Sequence, residues 1–180
     1  MKVLLHICCA PCAIYCLSAL RSESFRVLGF FYNHNIHPYQ EYVRRRDTLK
    51  TYADQVDLKV IYQDEYDLET FLQNVVFRET DRCSYCYHSR LKYAAIVARR
   101  GKFDYFTTTL LYSKFQKHDL IRSIGENIAA KQGVPFLYRD FRKGWKQGIR
   151  ISKELKMYRQ QYCGCIYSEK DRYCKKPLPH

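Results

Sequence analysis

Nine cysteines stand in a chain of 180 residues. Seven fall in three groups: Cys8 and Cys9 with Cys12, the Cys83-Ser84-Tyr85-Cys86 pair, and Cys163-Gly164-Cys165. Thiolates are soft donors that select iron–sulfur clusters, zinc or copper(I). A Cys-x-x-Cys alone is common to zinc sites, thioredoxin-like sites and clusters, but the combination says more. Adjacent cysteines project in different directions and do not readily bind one zinc tetrahedrally; they can reach two irons of a cluster, or a cluster and a separate ion. Cys8, Cys9, Cys83 and Cys86 make a four-thiolate set, which is what a 4Fe-4S cluster takes, and Cys12 is an alternative for the place of Cys8 or Cys9. In Cys163-Gly164-Cys165 the glycine lets the backbone bend sharply. That pair suits either a strained, oxidising disulfide that cycles during turnover or a second metal. Cys16 reads as a small buried hydrophobe, and Cys174, in a polar tail, as inert.

The elements that must position these thiols follow from the apolar pattern. Val3 to Ile7 is aliphatic and β-branched enough for a buried strand, and Pro11 suits the first turn of a helix over 11–21 with Ile14, Leu17 and Leu20 on one face. In an open α/β sheet, ligands bind at the carboxyl ends of such strands. A second strand spans 26–32, and the loop after it overhangs the same edge, carrying His34 and His37 as candidates for metal, substrate or phosphate, or as solvated side chains. A helix over 41–56 starts with Arg44, Arg45 and Arg46, which oppose its dipole unless an anion offsets them; a solvated charged face is the alternative. A short strand over 58–62 and a short helix over 67–76 come next. Leu91, Ala94, Ala95 and Ala98 recur at helical spacing over 86–100, which puts Cys83 and Cys86 at or just before a helix N-terminus, where thiolate is favoured. A strand over 103–108 ends in Thr107, Thr108 and Thr109, with Lys114 nearby as a weak phosphate-binding signal. A helix from His118 to Gly133, a fifth strand over 134–138, a helix over 145–158 and a basic tail complete the chain. Strands alternating with helices five times predict an α/β fold, a single domain over residues 1–180 with a Rossmann-like parallel sheet and helices on both faces.

A chain of this length buries a core without disulfide staples. It begins with no basic segment followed by an apolar one, so a cytoplasmic, reducing location is expected, where clustered cysteines are more often metal-binding or catalytic than structural. No apolar run approaches the roughly 18 residues of a membrane span. The formal net charge of +13 points to a polyanion: RNA, DNA or an anionic membrane. Seventeen tyrosines favour RNA, since aromatic faces stack on unpaired bases. A zinc-stabilised RNA-binding module without catalysis satisfies the same composition.

Five motifs in order carry a resemblance: His6-x-Cys8-Cys9-Ala10-Pro11-Cys12; Asn33-x-Asn35-Ile36-x-Pro38 with Glu41-Tyr42; Arg82-Cys83-x-x-Cys86-Tyr87 with Arg90-Leu91; Asp140-Phe141-Arg142-Lys143; and Tyr158-Arg159-Gln160-x-Tyr162-Cys163-Gly164-Cys165. Together they resemble the QueH family of epoxyqueuosine reductases. The resemblance implies reductive deoxygenation of epoxyqueuosine to queuosine in tRNA, the last step of that modification, on an adenine nucleotide α-hydrolase-like fold. It implies a 4Fe-4S cluster on Cys8, Cys9, Cys83 and Cys86, and a redox-active pair in Cys163 and Cys165. It also implies an additional iron held by cysteines and an aspartate, for which Asp140 and Asp81 are the candidates; some of the thiols assigned above would then move to that iron. The expected partners are the tRNA anticodon stem-loop and an external electron donor. No Ser-Gly-Gly-x-Asp-Ser loop follows the first strand, which argues against ATP-dependent activation and against the alternative of a tRNA-sulfurating enzyme of the same fold.

Overall fold

The central strand β1 (Lys2–His6) is hidden on both sides, with Val3, Leu4, Leu5 and His6 fully buried in a computed structural model that describes residues 1–174. A near-continuous apolar run of this kind is what a parallel sheet covered on both faces requires. β1 pairs in parallel with β2 (Arg26–Phe31) on one side, Leu5 opposite Gly29, and with β4 (Tyr105–Thr108) on the other, Leu5 opposite Thr107. β2 pairs in parallel with β3 (Val60–Tyr62), giving the order β3-β2-β1-β4.

The order reverses beside β1, so the crossovers use both faces. Helices α1 (Ala10–Ser22) and α2 (Tyr39–Gln55) pack together on one face, and α6 (Trp145–Glu154) lies against α1. The other face is covered by α4 (Arg82–Arg100), which contacts β1 and β4 and packs on α5 (His118–Gln132). A short α3 (Leu68–Val75) precedes α4. Gly133 ends α5 at a φ of +71°, the left-handed position glycine takes without steric penalty. Among the described residues no helix is long and apolar enough to cross a membrane.

Several elements depart from the sequence pattern. The expected fifth strand over 134–138 is reduced to one bridge, Phe106 with Phe136. Pro135 has no N–H to give a ladder, so only the bonds from Phe106 N to Pro135 O and from Leu137 N to Phe106 O remain. The expected strand over 58–62 is limited to 60–62. The helix expected to run to Tyr158 stops at Glu154, because Lys156 turns to a φ of +49° and Met157 N closes onto Ser152 O. Part of the expected tail is helix α7 (Ile166–Tyr173), followed directly by the exposed Cys174; the rest of the tail, 175–180, lies outside the described residues. Arg45, in the basic cluster read as anion-binding or solvated, is only 1% exposed.

Candidate metal centre

β1 delivers its thiols at the edge where the sheet order reverses. Cys9 is the extended N-cap residue of α1, and Pro11 lies in the first turn, so the chain breaks from strand to helix within the motif. The Sγ atoms of Cys8, Cys9 and Cys12 all lie within 4.8 Å of one another and all three residues are buried. Cys8 Sγ is 3.7 Å from Cys9 Sγ. Thr109 Oγ1 lies 3.3 Å from Cys8 Sγ as a donor and 3.1 Å from Cys8 N as an acceptor. The Gln160 amide donates to Cys12 Sγ at 3.4 Å.

These contacts divide one negative charge unequally. Hydrogen bonds from Cys12 and Cys9 hold the Cys8 thiol well below its ordinary value, and Arg90 and Thr109 reinforce them against burial. Cys9 is pushed up, first by burial, and Cys12 is pushed up, first by its hydrogen bond to Cys8. The site therefore favours negative charge on Cys8 over Cys9 and Cys12. Thiolates packed this closely need a cation among them, and binding one releases their protons.

α4 brings the next thiols. It begins at Arg82, so Cys83 and Cys86 lie inside its first turns; Cys83 is half-buried and Cys86 buried. Arg90, one turn beyond Cys86 and 1% exposed, donates from Nη1 to Cys86 Sγ at 3.4 Å and from Nη2 to Asn33 Oδ1 at 2.9 Å. Its Nε lies 3.4 Å from His6 Nε2. Burial and Arg90 push His6 down to about 3, so the ring is neutral. Its Nε2 also meets the Tyr32 carbonyl oxygen at 3.1 Å, to which it can donate, and its Nδ1 lies 2.9 Å from Thr108 Oγ1, whose hydroxyl can then donate to the ring. Burial opposes the charge of Arg90 itself, and the neighbouring sulfurs, Cys86 first and then Cys8, act against burial and raise the guanidinium above its ordinary value. Cys86 is pushed up to about 12 by burial, with Arg90 acting against it.

The third group sits differently. Cys163 is exposed as a residue, yet neighbouring protein desolvates its thiol. This desolvation pushes Cys163 up, although Gln116 Nε2 donates to its Sγ at 3.2 Å. Arg45 clamps the segment through Nη1 to Cys163 O at 2.8 Å and Nη2 to Tyr162 O at 3.0 Å. Its Nε meets Glu41 Oε1 at 2.7 Å, and Tyr158 OH donates to the other oxygen of Glu41. His37 N donates to Gly164 O at 2.9 Å, and His37 Nδ1 accepts from Ile166 N at 3.4 Å. Gly164 has a φ of +157°, and a Cβ there would stand 3.3 Å from Asn35 Nδ2 and Ile36 Cγ1. Cys165 turns inward against Phe71 and Val75.

Of the residues the sequence singles out, Cys8, Cys9 and Cys12 meet directly. Cys86 connects to them through Arg90, and Cys163 lies close enough to influence both Cys86 and Arg90. Asp140 is tied to Arg142, which donates from Nε at 2.8 Å and Nη2 at 2.6 Å; this holds its carboxyl at about 2, and no thiol is among its partners. Asp81 is exposed, two residues before Cys83, and its carboxylate has no hydrogen bond among the described residues. His34 and His37 are buried rather than solvated and brace the loop: His34 Nε2 pairs with Ser89 Oγ at 3.2 Å and His37 Nε2 with His34 O at 3.1 Å. Gln116 escaped the sequence reading; Arg45 stood in it only within a basic cluster read as anion-binding or solvated, and Arg90 and Gln160 only within the motifs of the resemblance. Arg90 left a further signal, lying four residues after Cys86 on the same helix face.

A family model described as epoxyqueuosine reductase QueH matches residues 3–171. A relative of that name from Dehalococcoides mccartyi is 35% identical over 178 residues, 99% of this chain and 98% of its own. Another of that name, from Thermotoga maritima, is 37% identical over 180 aligned residues, covering 94% of this chain and 91% of its own. The solved structure of a predicted tRNA methyltransferase subunit from Methanocaldococcus jannaschii superposes with a TM-score of 0.56 over 86% of this chain and 76% of that one, at 13% identity. That likeness is one of fold alone, and the fold is the adenine nucleotide α-hydrolase-like arrangement of a parallel sheet between helices. Matched across nearly its whole length, the chain belongs to the epoxyqueuosine reductase QueH family.

Proposed function

We propose that the protein reduces epoxyqueuosine to queuosine in tRNA, in the cytoplasm, with the chain of residues 1–180 acting as one iron–sulfur reductase domain. The observation that carries this reading is the buried Cys8, Cys9 and Cys12 trio, with Sγ atoms within 4.8 Å of one another, at the ligand edge of a chain belonging to this family. The donor set fits a cluster: the thiols are soft and clustered, and the buried Arg90 balances negative charge beside Cys86 and Cys8. Cys8, Cys9, Cys83 and Cys86 would hold a 4Fe-4S cluster. An additional iron would draw on Cys12 and an aspartate; Asp81, with its free carboxylate, fits better than Asp140, which is committed to Arg142. When bound, a cluster supplies single electrons received from an external donor.

Opening the epoxide to an alkene takes two electrons and two protons and releases water. Cys163 and Cys165 can supply the same amounts, because joining two thiols as a disulfide releases two electrons and two protons. The raised Cys163 thiol favours keeping its proton at Sγ until the disulfide forms. The Gln116 amide stabilises the sulfur once that proton leaves. Arg45 and Glu41 fix the backbone that carries it. The external donor then restores both thiols.

Anaerobic purification with iron and acid-labile sulfide analysis tests the cofactor, and conversion of epoxyqueuosine-bearing tRNA tests the reaction. Matching iron and sulfide, a signal in electron paramagnetic resonance after dithionite, and conversion without ATP are expected. Zinc without sulfide after attempted reconstitution would replace this reading with the RNA-binding module, and an ATP requirement with the sulfurating enzyme.

A further inference from the structure

The loop between β4 and α5 carries an aromatic group that the reaction proposed above does not use. Phe115 is 75% exposed, and the half-buried Trp145, at the start of α6, meets it edge to face with ring centroids 5.8 Å apart. Tyr112 backs Trp145 at 5.2 Å and donates its hydroxyl hydrogen to Trp145 O at 3.0 Å. Lys114 Nζ lies 5.2 Å from the Phe115 ring centre and 5.6 Å from that of Trp145. The next residue after Phe115 is Gln116, whose amide donates to Cys163 Sγ. Gln116 thus links the platform to the segment that carries Cys163.

From these contacts we infer that Phe115 and Trp145, with Lys114 close to both rings, form a stacking platform for one unpaired nucleotide of an RNA, one residue from the Gln116 that holds Cys163. This rests on the reading of the protein as an enzyme acting on tRNA. The charge agrees, since the two segments that build the platform, residues 113–117 and 141–148, contain Lys114, Lys117, Lys143 and Lys146 beside Arg142, which is paired with Asp140. Aromatic faces accept any base, while the ammonium groups hold phosphates. A second copy of the chain fits poorly, because one exposed ring is far short of the roughly 800 Å² per partner of a stable protein interface. An anionic membrane shares the charge preference but would not prefer a looped RNA to a paired one.

The chain has a single tryptophan, so emission excited selectively from Trp145 reports on the platform. The probes are a short RNA hairpin with an unpaired loop and a fully paired RNA duplex with the same number of phosphates. The hairpin is expected to quench Trp145 and the duplex to leave it unchanged. Phe115→Ala should weaken hairpin binding about tenfold without altering duplex binding, and Phe115→Tyr should restore it. Lys114→Met should lower the salt dependence of hairpin binding by about one phosphate contact. Trp145 emission indifferent to the hairpin, an equal loss of hairpin and duplex binding in Phe115→Ala, or a loss confined to anionic vesicles would overturn the platform. If the wild-type protein converts epoxyqueuosine-bearing tRNA while Phe115→Ala binds the hairpin unchanged, the platform fails and the reaction stands. Phe115-dependent hairpin binding by a protein that converts nothing supports the platform and removes the reaction.

Discussion

The two ends of the chain bring thiols to one edge of the sheet by opposite means. Cys8, Cys9 and Cys12 are held by the junction of β1 and α1, whose backbone bonds run through the core. Residues 162–165 lie in no helix or strand and are held by side chains from far away, Arg45, His37 and Gln116. The first arrangement makes a buried, rigid pocket suited to holding an ion. The second leaves Cys163 open to solvent and able to meet a substrate. Permanence is built into secondary structure and access into a bracketed loop.

The contrast can be broken most sharply by thiol labelling. In metal-free, reduced protein without denaturant, Cys163 should react directly, whereas Cys9, 1% exposed, reacts only through global opening. A gap of about a thousandfold or more is expected; comparable rates, read by mass spectrometry of the labelled peptides, would erase the distinction. Glu41→Ala attacks the bracket. It strands the guanidinium of Arg45 without its carboxylate, and urea titration should show a loss of about 3 to 5 kcal/mol; an unchanged midpoint would mean that the two carbonyls of residues 162 and 163 suffice. Gly164→Ala is milder. The added methyl stands 3.3 Å from Asn35 and Ile36, so a cost of about 1 kcal/mol is expected, with faster labelling of Cys165 and unaltered protection of Cys9.

Asp140→Asn should matter least for stability. Asp140 and Arg142 are both partly exposed, so solvent screening keeps the contribution of their pair small. The bond to Arg142 lowers the carboxyl from 3.8 to about 2. The stabilisation is therefore complete above about pH 4 and fades as pH falls through about 2. Wild type and variant compared in urea at pH 7 and near pH 2 should differ only at the higher pH. The same variant sharpens the choice of iron ligand: Asp140→Asn should retain the full iron content and Asp81→Asn should lose any additional iron.

Legibility in the sequence followed how local each cause was. The β1-to-α1 junction could be read because an aliphatic run, a proline and the apolar positions Ile14, Leu17 and Leu20 all lie within one short stretch. The parallel sheet with helices on both faces followed from the same alternation. α7 was invisible because Ser168, Glu169, Lys170, Asp171 and Arg172 give no apolar period; it is anchored instead by Ser168 and Glu169 N–H groups on Cys165 O and by Arg82 on Asp171. Pro135 and the turn at Lys156 curtailed elements whose apolar pattern ran on. At the site, the thiols could be read from their spacing, while Arg45 gave no sign of turning inward, since its partners Tyr162 and Cys163 are separated from it by 117 and 118 positions.

That separation also sets an order of manufacture. Chains fold from the N-terminus as they leave the ribosome, so the thiols of α1 exist long before the stretch around Gln160 and Cys163 that closes over them. The growing polypeptide thus has an interval in which Cys8, Cys9 and Cys12 are present while Gln160, which donates to Cys12, is not yet made.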